Sequence, residues 1–109
     1  MVNPPRRFDV VLVELDPAVG HEMQKTRPCL VISPDALNFN VQTCIVAPLT
    51  TGNRAGPSRF PCVVDGKAGF VVLDQVRAVD RARVLHVLGQ FDEAAGRRVL
   101  KLLRTLFED

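Results

Sequence analysis

Tryptophan and tyrosine are both missing from this 109-residue chain, histidine occurs twice and cysteine three times. The missing rings leave Phe, His and the Arg guanidinium as the planar groups able to stack on a ligand. Two histidines argue against a His-rich metal centre. Cys29, Cys44 and Cys62 are odd in number and match no metal or redox spacing. Set among β-branched and apolar neighbours, they read as buried, reduced thiols used as small hydrophobes. No apolar run approaches the roughly 18 residues of a membrane-spanning helix. The opening MVNPPRRF has two arginines but no apolar segment after them, and the stretch Val10–Leu15 is broken by Glu14. It reads as a strand and not a leader, so a cytoplasmic protein is expected. Strong charge of one sign is lacking too: 14 Lys and Arg face 12 Asp and Glu, a net +2, which argues only weakly for a nucleic-acid partner. There is no Gly-rich phosphate loop, no HExxH and no Cys/His cluster, so neither a metal nor a cofactor is expected.

What is present is apolar patterning sufficient for one core, and one domain spanning residues 1–109 is expected. The pattern is strand-like up to about residue 90. Runs at Phe8–Leu15, Pro28–Ile32, Val41–Leu49, Phe60–Val64, Ala68–Val76 and Val84–Leu88 predict six strands. Asp65-Gly66 predicts a hairpin turn between the fourth and fifth. Residues 17–27 and 50–59 read as loops, and Ser33-Pro34 as an N-cap and first position of a single helical turn to Asn38. Asp74 and Gln75 are unexpectedly polar inside the fifth strand. The last segment predicts a helix capped by Asp92 and running to about Leu106, with Val99, Leu102, Leu103 and Leu106 as its apolar stripe. Gly96 weakens its first turns by about 1 kcal/mol relative to Ala. Short strands joined by turns predict a mainly β fold: a small antiparallel barrel or strongly curved sheet, with the helix burying its stripe against the sheet or a partner.

Residues with chemical potential gather in three places: His21, Glu22, Lys25 and Arg27 in the first loop; Thr50-Thr51 at a strand end; and Asp74-Gln75-Val76-Arg77. Together they suit a phosphodiester. RNA carries its own nucleophile, the 2′-hydroxyl, so a protein needs a group to take that proton, a donor for the leaving 5′-oxygen, and cations or hydroxyls around the phosphorus. His21, Glu22 or Asp74 is able to take the proton, Arg27 offers a fork of donors, and Thr50 offers one more hydrogen bond. Each has a plainer reading as well: a solvated loop histidine and glutamate, a surface arginine, a β-branched strand end, and a structurally paired Asp74.

The ordered set Asp16-Pro17, Gly20-His21-Glu22-Met23-Gln24-Lys25-Thr26-Arg27-Pro28, Ser33-Pro34, Asn38, Val46-Ala47-Pro48-Leu49-Thr50-Thr51 and Asp74-Gln75-Val76-Arg77 with Asp80 resembles the MazF/PemK/Kid family of toxins. The Gly-His-Glu start is nearer the PemK/Kid branch. The resemblance, which covers residues 8 to 107, implies an SH3-like barrel of mostly antiparallel strands with a C-terminal helix. It implies a homodimer that binds single-stranded RNA, usually mRNA, in a shared groove and cuts it without metal, leaving a 2′,3′-cyclic phosphate and a 5′-hydroxyl. A cognate antitoxin is implied as the second partner, its tail covering the groove.

By position, Arg27 and Thr50 match the family's catalytic arginine and threonine and Glu22 a supporting acid. His21 and Asp74 match positions used in the PemK/Kid branch, the aspartate as proposed base. The arginine that this branch carries two residues before the aspartate is Val72 here. RNA contacts are expected from Lys25, Thr51, Asn53, Arg54, Ser58, Arg59, Gln75 and Arg77. Lacking Trp and Tyr, recognition of bases is expected to lean on hydrogen bonds and guanidinium stacking. Two other functions are weighed: a gyrase-inhibiting toxin of the CcdB kind, disfavoured because the chain ends Leu106-Phe107-Glu108-Asp109 without the Trp-Gly-Ile tail, and an inactive relative serving as an interaction module.

Overall fold

Alternating apolar positions in the first ninety residues need two faces to bury, and the chain provides both by curving one sheet around an interior while laying a helix on its other side. The computed structural model describes residues 3–52 and 54–109. Its elements are β1 (Asp9–Glu14), β2 (Thr26–Val31), the single turn α1 (Asp35–Asn38), β3 (Thr43–Thr51), β4 (Arg59–Val64), β5 (Lys67–Val72), β6 (Arg77–Asp80), β7 (Val84–Gln90) and α2 (Glu93–Leu106). The strands pair antiparallel in the order β4-β5-β3-β2-β1-β7, with β6 also on β3.

Successive residues of β1, β2 and β3 point to opposite faces, and each face owns a core. Val11, Val13, Leu15, Cys29, Val31, Cys44, Val46, Val79 and Val84 form the interior of the curl. Phe8, Leu30, Ile32, Ala47, Leu49, Val64, Val71 and Leu73 form the other core, closed by Val99 and Leu100 of α2. Of the two expected forms, small barrel or strongly curved sheet, the structure shows the curved sheet, which does not close. Among the described residues β6 pairs with β3 and β7 with β1, while the short 3-10 turn Arg81–Arg83 joins β6 to β7 without a rung between them.

Two sequence expectations change in detail. The fifth strand was expected to reach Val76. Instead β5 ends at Val72, a 3-10 turn occupies Leu73–Gln75, and β6 resumes on β3 as a strand not expected from the sequence. Arg77 pairs with Val46, three residues further along β3 than the β5 register of Leu49 with Val71 would place it. Three residues are thus squeezed out of the ladder, which lets the polar Asp74 and Gln75 leave the sheet. Ser33 is not the cap of α1: Pro34 holds that position, and the Ser33 hydroxyl donates to Asn38 Oδ1 (2.5 Å) and accepts from the Ile45 amide (2.9 Å) inside the protein. The two-residue turn Asp65-Gly66 is as expected, with both residues at positive φ (51° and 74°) between Val64 and Lys67.

Helix α2 is capped as expected, Asp92 Oδ1 accepting from the Ala95 amide at 2.7 Å. Its buried stripe has the expected period but a different phase: Gly96, Val99 and Leu100 are buried and Leu103 packs beside them, whereas Leu106 is exposed. The phase is set by Phe8. An added Cβ at position 96 would lie 2.5 Å from two atoms of the Phe8 ring, so only glycine lets the helix come this close.

Candidate functional site

The loop after β1 returns to β2 through Lys25, which takes a left-handed φ of 67°. Its base is closed twice: the Leu15 amide donates to Lys25 O (2.9 Å), and the Lys25 amide donates to Asp16 Oδ1 (2.9 Å). The Arg83 guanidinium grips the carbonyls of Glu14 and Asp16 (3.1 and 2.6 Å), and Arg77 donates to the carbonyl of Leu15 (3.3 Å). Inside the loop the Val19 amide donates to Glu22 Oε1 (2.6 Å). At its tip the Met23 amide donates to Gln75 Oε1 (2.6 Å), and Gln75 Nε2 reaches the His21 carbonyl at 3.4 Å.

This arrangement opens a cleft of about 600 Å³ lined by Leu15, His21, Glu22, Met23, Pro48, Asp74, Gln75, Val76 and Arg77. Five residues singled out in the sequence, His21, Glu22, Asp74, Gln75 and Arg77, therefore meet although they come from two segments some fifty residues apart. The exposed Asp74 carboxylate accepts from the Ser58 hydroxyl at 2.9 Å, and the Leu73 amide donates to the Ser58 carbonyl at 2.9 Å. Ser58 thereby ties the end of the second loop to the rim of the cleft.

Arg27 and Thr50 do not line that cavity, but both sit next to it. The β2–β3 ladder ends at the pair Cys29 and Pro48. Arg27 and Thr50 each lie two residues beyond that pair, so both keep its face, the face to which Pro48 contributes a cleft wall. At about 3.3 Å per residue, Thr50 is roughly 7 Å along the strand from Pro48. The Arg27 Nε donates to the Gln24 carbonyl (3.0 Å), leaving the rest of its five-donor fork uncommitted there.

Burial pushes the Cys29 thiol up to about 12, and the guanidiniums of Arg27 and Arg77 both act on it in the opposite sense. Both cations therefore act electrostatically on the same buried thiol. Among the described residues the only ion pair is Arg97 with Glu93 on α2 (2.8 Å), so no carboxylate contact neutralises Arg27 or Arg77. Burial also raises the thiols of Cys44 and Cys62; all three cysteines are free, with Cys29 and Cys44 buried and Cys62 half-buried.

The remaining expected residues scatter. Val72 is fully buried, and Arg59 stands opposite it in the β4–β5 ladder, on its face. Thr51 takes the face opposite to Thr50 and borders a separate groove with Gly52, Pro61 and Lys67. Lys25 and Arg54 are exposed, and Asn53 lies outside the described residues. Sequence reasoning did not anticipate Leu15, Met23, Pro48 and Val76 as cleft walls or Arg83 as a brace. The Met23 contact runs through its backbone, which no side-chain pattern advertises. Among the described residues no three His, Cys, Asp or Glu side chains come together as metal ligands.

A curled antiparallel sheet backed by a C-terminal helix, with unneutralised arginines beside a polar cleft, defines a small, mainly β protein equipped to bind an anion. MazF from Deinococcus radiodurans has this fold: its crystal structure superposes with a TM-score of 0.84 and 27% identity, covering 95% of this chain and 96% of that one. The chain belongs to the PemK-like, MazF-like toxins of type II toxin–antitoxin systems, whose family profile matches residues 6–107. It is 38% identical to the endoribonuclease PemK of Escherichia coli over 106 residues, covering 92% of this chain and 80% of PemK. It is 40% identical to the endoribonuclease toxin ChpB of Escherichia coli K12 over 104 residues, covering 88% and 89%.

Proposed function

We propose that this chain is an endoribonuclease that cuts single-stranded RNA by activating the RNA's own 2′-hydroxyl, as the toxin of a toxin–antitoxin pair. The observation that carries the reading is a cleft bearing His21, Glu22, Asp74 and the unneutralised Arg77, with the unneutralised Arg27 on the strand face beside its Pro48 wall. A phosphodiester needs both cations and proton-transfer groups, and here they adjoin.

In this mechanism the 2′-oxygen attacks phosphorus and gives up its proton to Asp74 or His21. The bond from phosphorus to the 5′-oxygen breaks, and that oxygen takes a proton from the other of the pair or from water. The products are a 2′,3′-cyclic phosphate and a 5′-hydroxyl. Arg27 and the Thr50 hydroxyl hold the charged phosphoryl oxygens; a guanidinium stays protonated at neutral pH, so Arg27 stabilises charge and does not transfer the proton. Arg59, paired with Val72 across the β4–β5 ladder, supplies a cation there. Glu22 tightens its loop through the Val19 amide. Lys25, Arg54, Ser58 and Asn53 contact flanking nucleotides, while Thr51 serves only RNA that wraps onto the far face.

Protein partners are a second copy of the chain and an antitoxin; MazE and MazF of Deinococcus radiodurans were crystallised together, and that MazF matches this chain with a TM-score of 0.78. Leu85, Val87 and Leu88 of the edge strand β7 are exposed, an apolar surface suited to a protein partner. No described helix is long and apolar enough to cross a membrane; a cytoplasmic location would suit an RNA substrate.

The test is incubation of purified protein with a defined RNA in excess chelator, followed by mapping of new 5′-hydroxyl ends. Cleavage at a fixed short sequence, lost in Arg27→Ala with an unchanged melting temperature, is expected. Inhibition of gyrase without cleavage would refute the assignment, and undiminished cutting by Arg27→Ala would remove Arg27 from the mechanism.

A further inference from the structure

We infer that Gln75 is a positioning residue: its side-chain amide clamps the tip of the 17–25 loop and thereby places His21 at the cleft. The inference rests on the ribonuclease reading for its catalytic part and on geometry for the rest. The loop is pinned at its base by hydrogen bonds involving Leu15, Asp16, Arg77 and Arg83, and the Met23 side chain packs against the core, but none of those hydrogen bonds reaches the backbone of His21 or Met23. Residues 19 to 22 bond to one another through Glu22 and Val19 and gain no anchor from that. The hydrogen bonds that reach the tip from another element come from Gln75, which accepts from the Met23 amide at 2.6 Å and donates toward the His21 carbonyl at 3.4 Å.

The chemistry suits the task. A primary amide offers an acceptor and donors on one planar group, so it satisfies an N–H and a C=O two residues apart. A carboxylate in its place keeps the acceptor and loses the donors. Gln75 itself sits on the 3-10 turn expelled from the ladder by the three-residue register shift, beside Asp74. The same irregularity therefore sets both Asp74 and, through the Gln75 amide, His21. With its amide turned to the loop backbone, Gln75 is committed to protein and not to a base.

Hydrogen exchange and cleavage kinetics on the full-length protein test this. Gln75→Ala is expected to speed exchange of the Met23 amide about fivefold, since one hydrogen bond of roughly 1 kcal/mol is removed, while amides of β2 and β3 keep their protection. Its kcat on a defined RNA is expected to fall about tenfold or more, with KM changed far less, because misplaced catalytic groups cost rate. Gln75→Glu is expected to keep the Met23 amide protected and most of kcat, with KM raised by its charge. Unchanged Met23 protection in Gln75→Ala, or a rise in KM with kcat intact, would overturn the inference; the second result would make Gln75 an RNA contact. A wild-type protein that cuts no RNA would overturn the ribonuclease reading and the catalytic role with it, whereas the exchange data alone decide whether the clamp exists.

Discussion

Replacing Gly69 by alanine tests whether the backbone seat of Thr50 matters. Gly69 pairs with Thr51 across the β3–β5 ladder, and an added Cβ would overlap the carbonyl oxygen of Thr50 and lie 3.1 Å from Val64 Cγ2. The obstacle is backbone, so no rotamer change relieves it, and β3 and β5 must part locally. Overpacking of this kind costs about 1–3 kcal/mol. Against it stands the smaller unfolded-state entropy of alanine, worth about 0.4–1 kcal/mol in favour of the variant. The clash wins by about 1–2 kcal/mol, which for a domain of this size lowers Tm by roughly 5–15 °C. Because the displaced carbonyl belongs to Thr50, kcat for RNA cleavage well below Tm is expected to fall about 10- to 100-fold. Thermal unfolding followed by circular dichroism, paired with single-turnover cleavage at 25 °C, measures both. A Tm equal to or above wild type would refute the packing argument. A lowered Tm with undisturbed cleavage would remove Thr50 from the mechanism.

Other perturbations separate stability from activity. Gly96→Ala gains about 1 kcal/mol of helix propensity but forces a Cβ to 2.6 Å from the root of the Phe8 ring, so Tm is expected to fall; a rise would show that the ring yields. Asp92→Ala removes the cap on the Ala95 amide and is expected to cost about 1 kcal/mol in urea titration without changing the cleavage rate. The Cys29 thiol is held near 12 by burial against an ordinary 9.0. The folded state therefore keeps a proton that the unfolded chain releases, and stability is fully present below pH 9 and is lost as pH climbs from 9 to about 12. The unfolding free energy from urea titration is expected to fall across that window by up to about 1.4 kcal/mol per pH unit for this thiol, and Cys29→Ala to flatten the slope; an identical slope in the variant would show that other groups set it.

Much of this molecule was readable as pattern and little of it as position. Period-two runs, the Asp65-Gly66 turn and the Asp92 cap are local properties, fixed by the residues themselves, and they fall where the sequence puts them. The family motifs likewise marked His21, Glu22, Asp74 and Arg77 as candidates, and the fold gathers these into one cleft. What was not readable depends on contacts between distant segments. The phase of the α2 stripe turns on Phe8, almost ninety residues earlier, whose ring admits only Gly96; the propensity scale counts that glycine as a defect of an isolated helix. Closure of the curl depends on whether β6 and β7 share a rung, which no alternation pattern encodes.

The polar pair Asp74-Gln75 joins the two kinds of information. Its polarity inside an apolar run signals that something other than a plain strand is present. That the strand breaks by three residues, turning one side chain toward Ser58 and the other toward the backbone of Met23, follows only from the register that β3 imposes on β5 and β6. A site residue whose partner is a main-chain amide leaves no complementary side chain to find in the sequence, because every residue except proline carries that amide. Gln75 therefore looked like a surface contact for a ligand, whereas in the fold its acceptor is already taken.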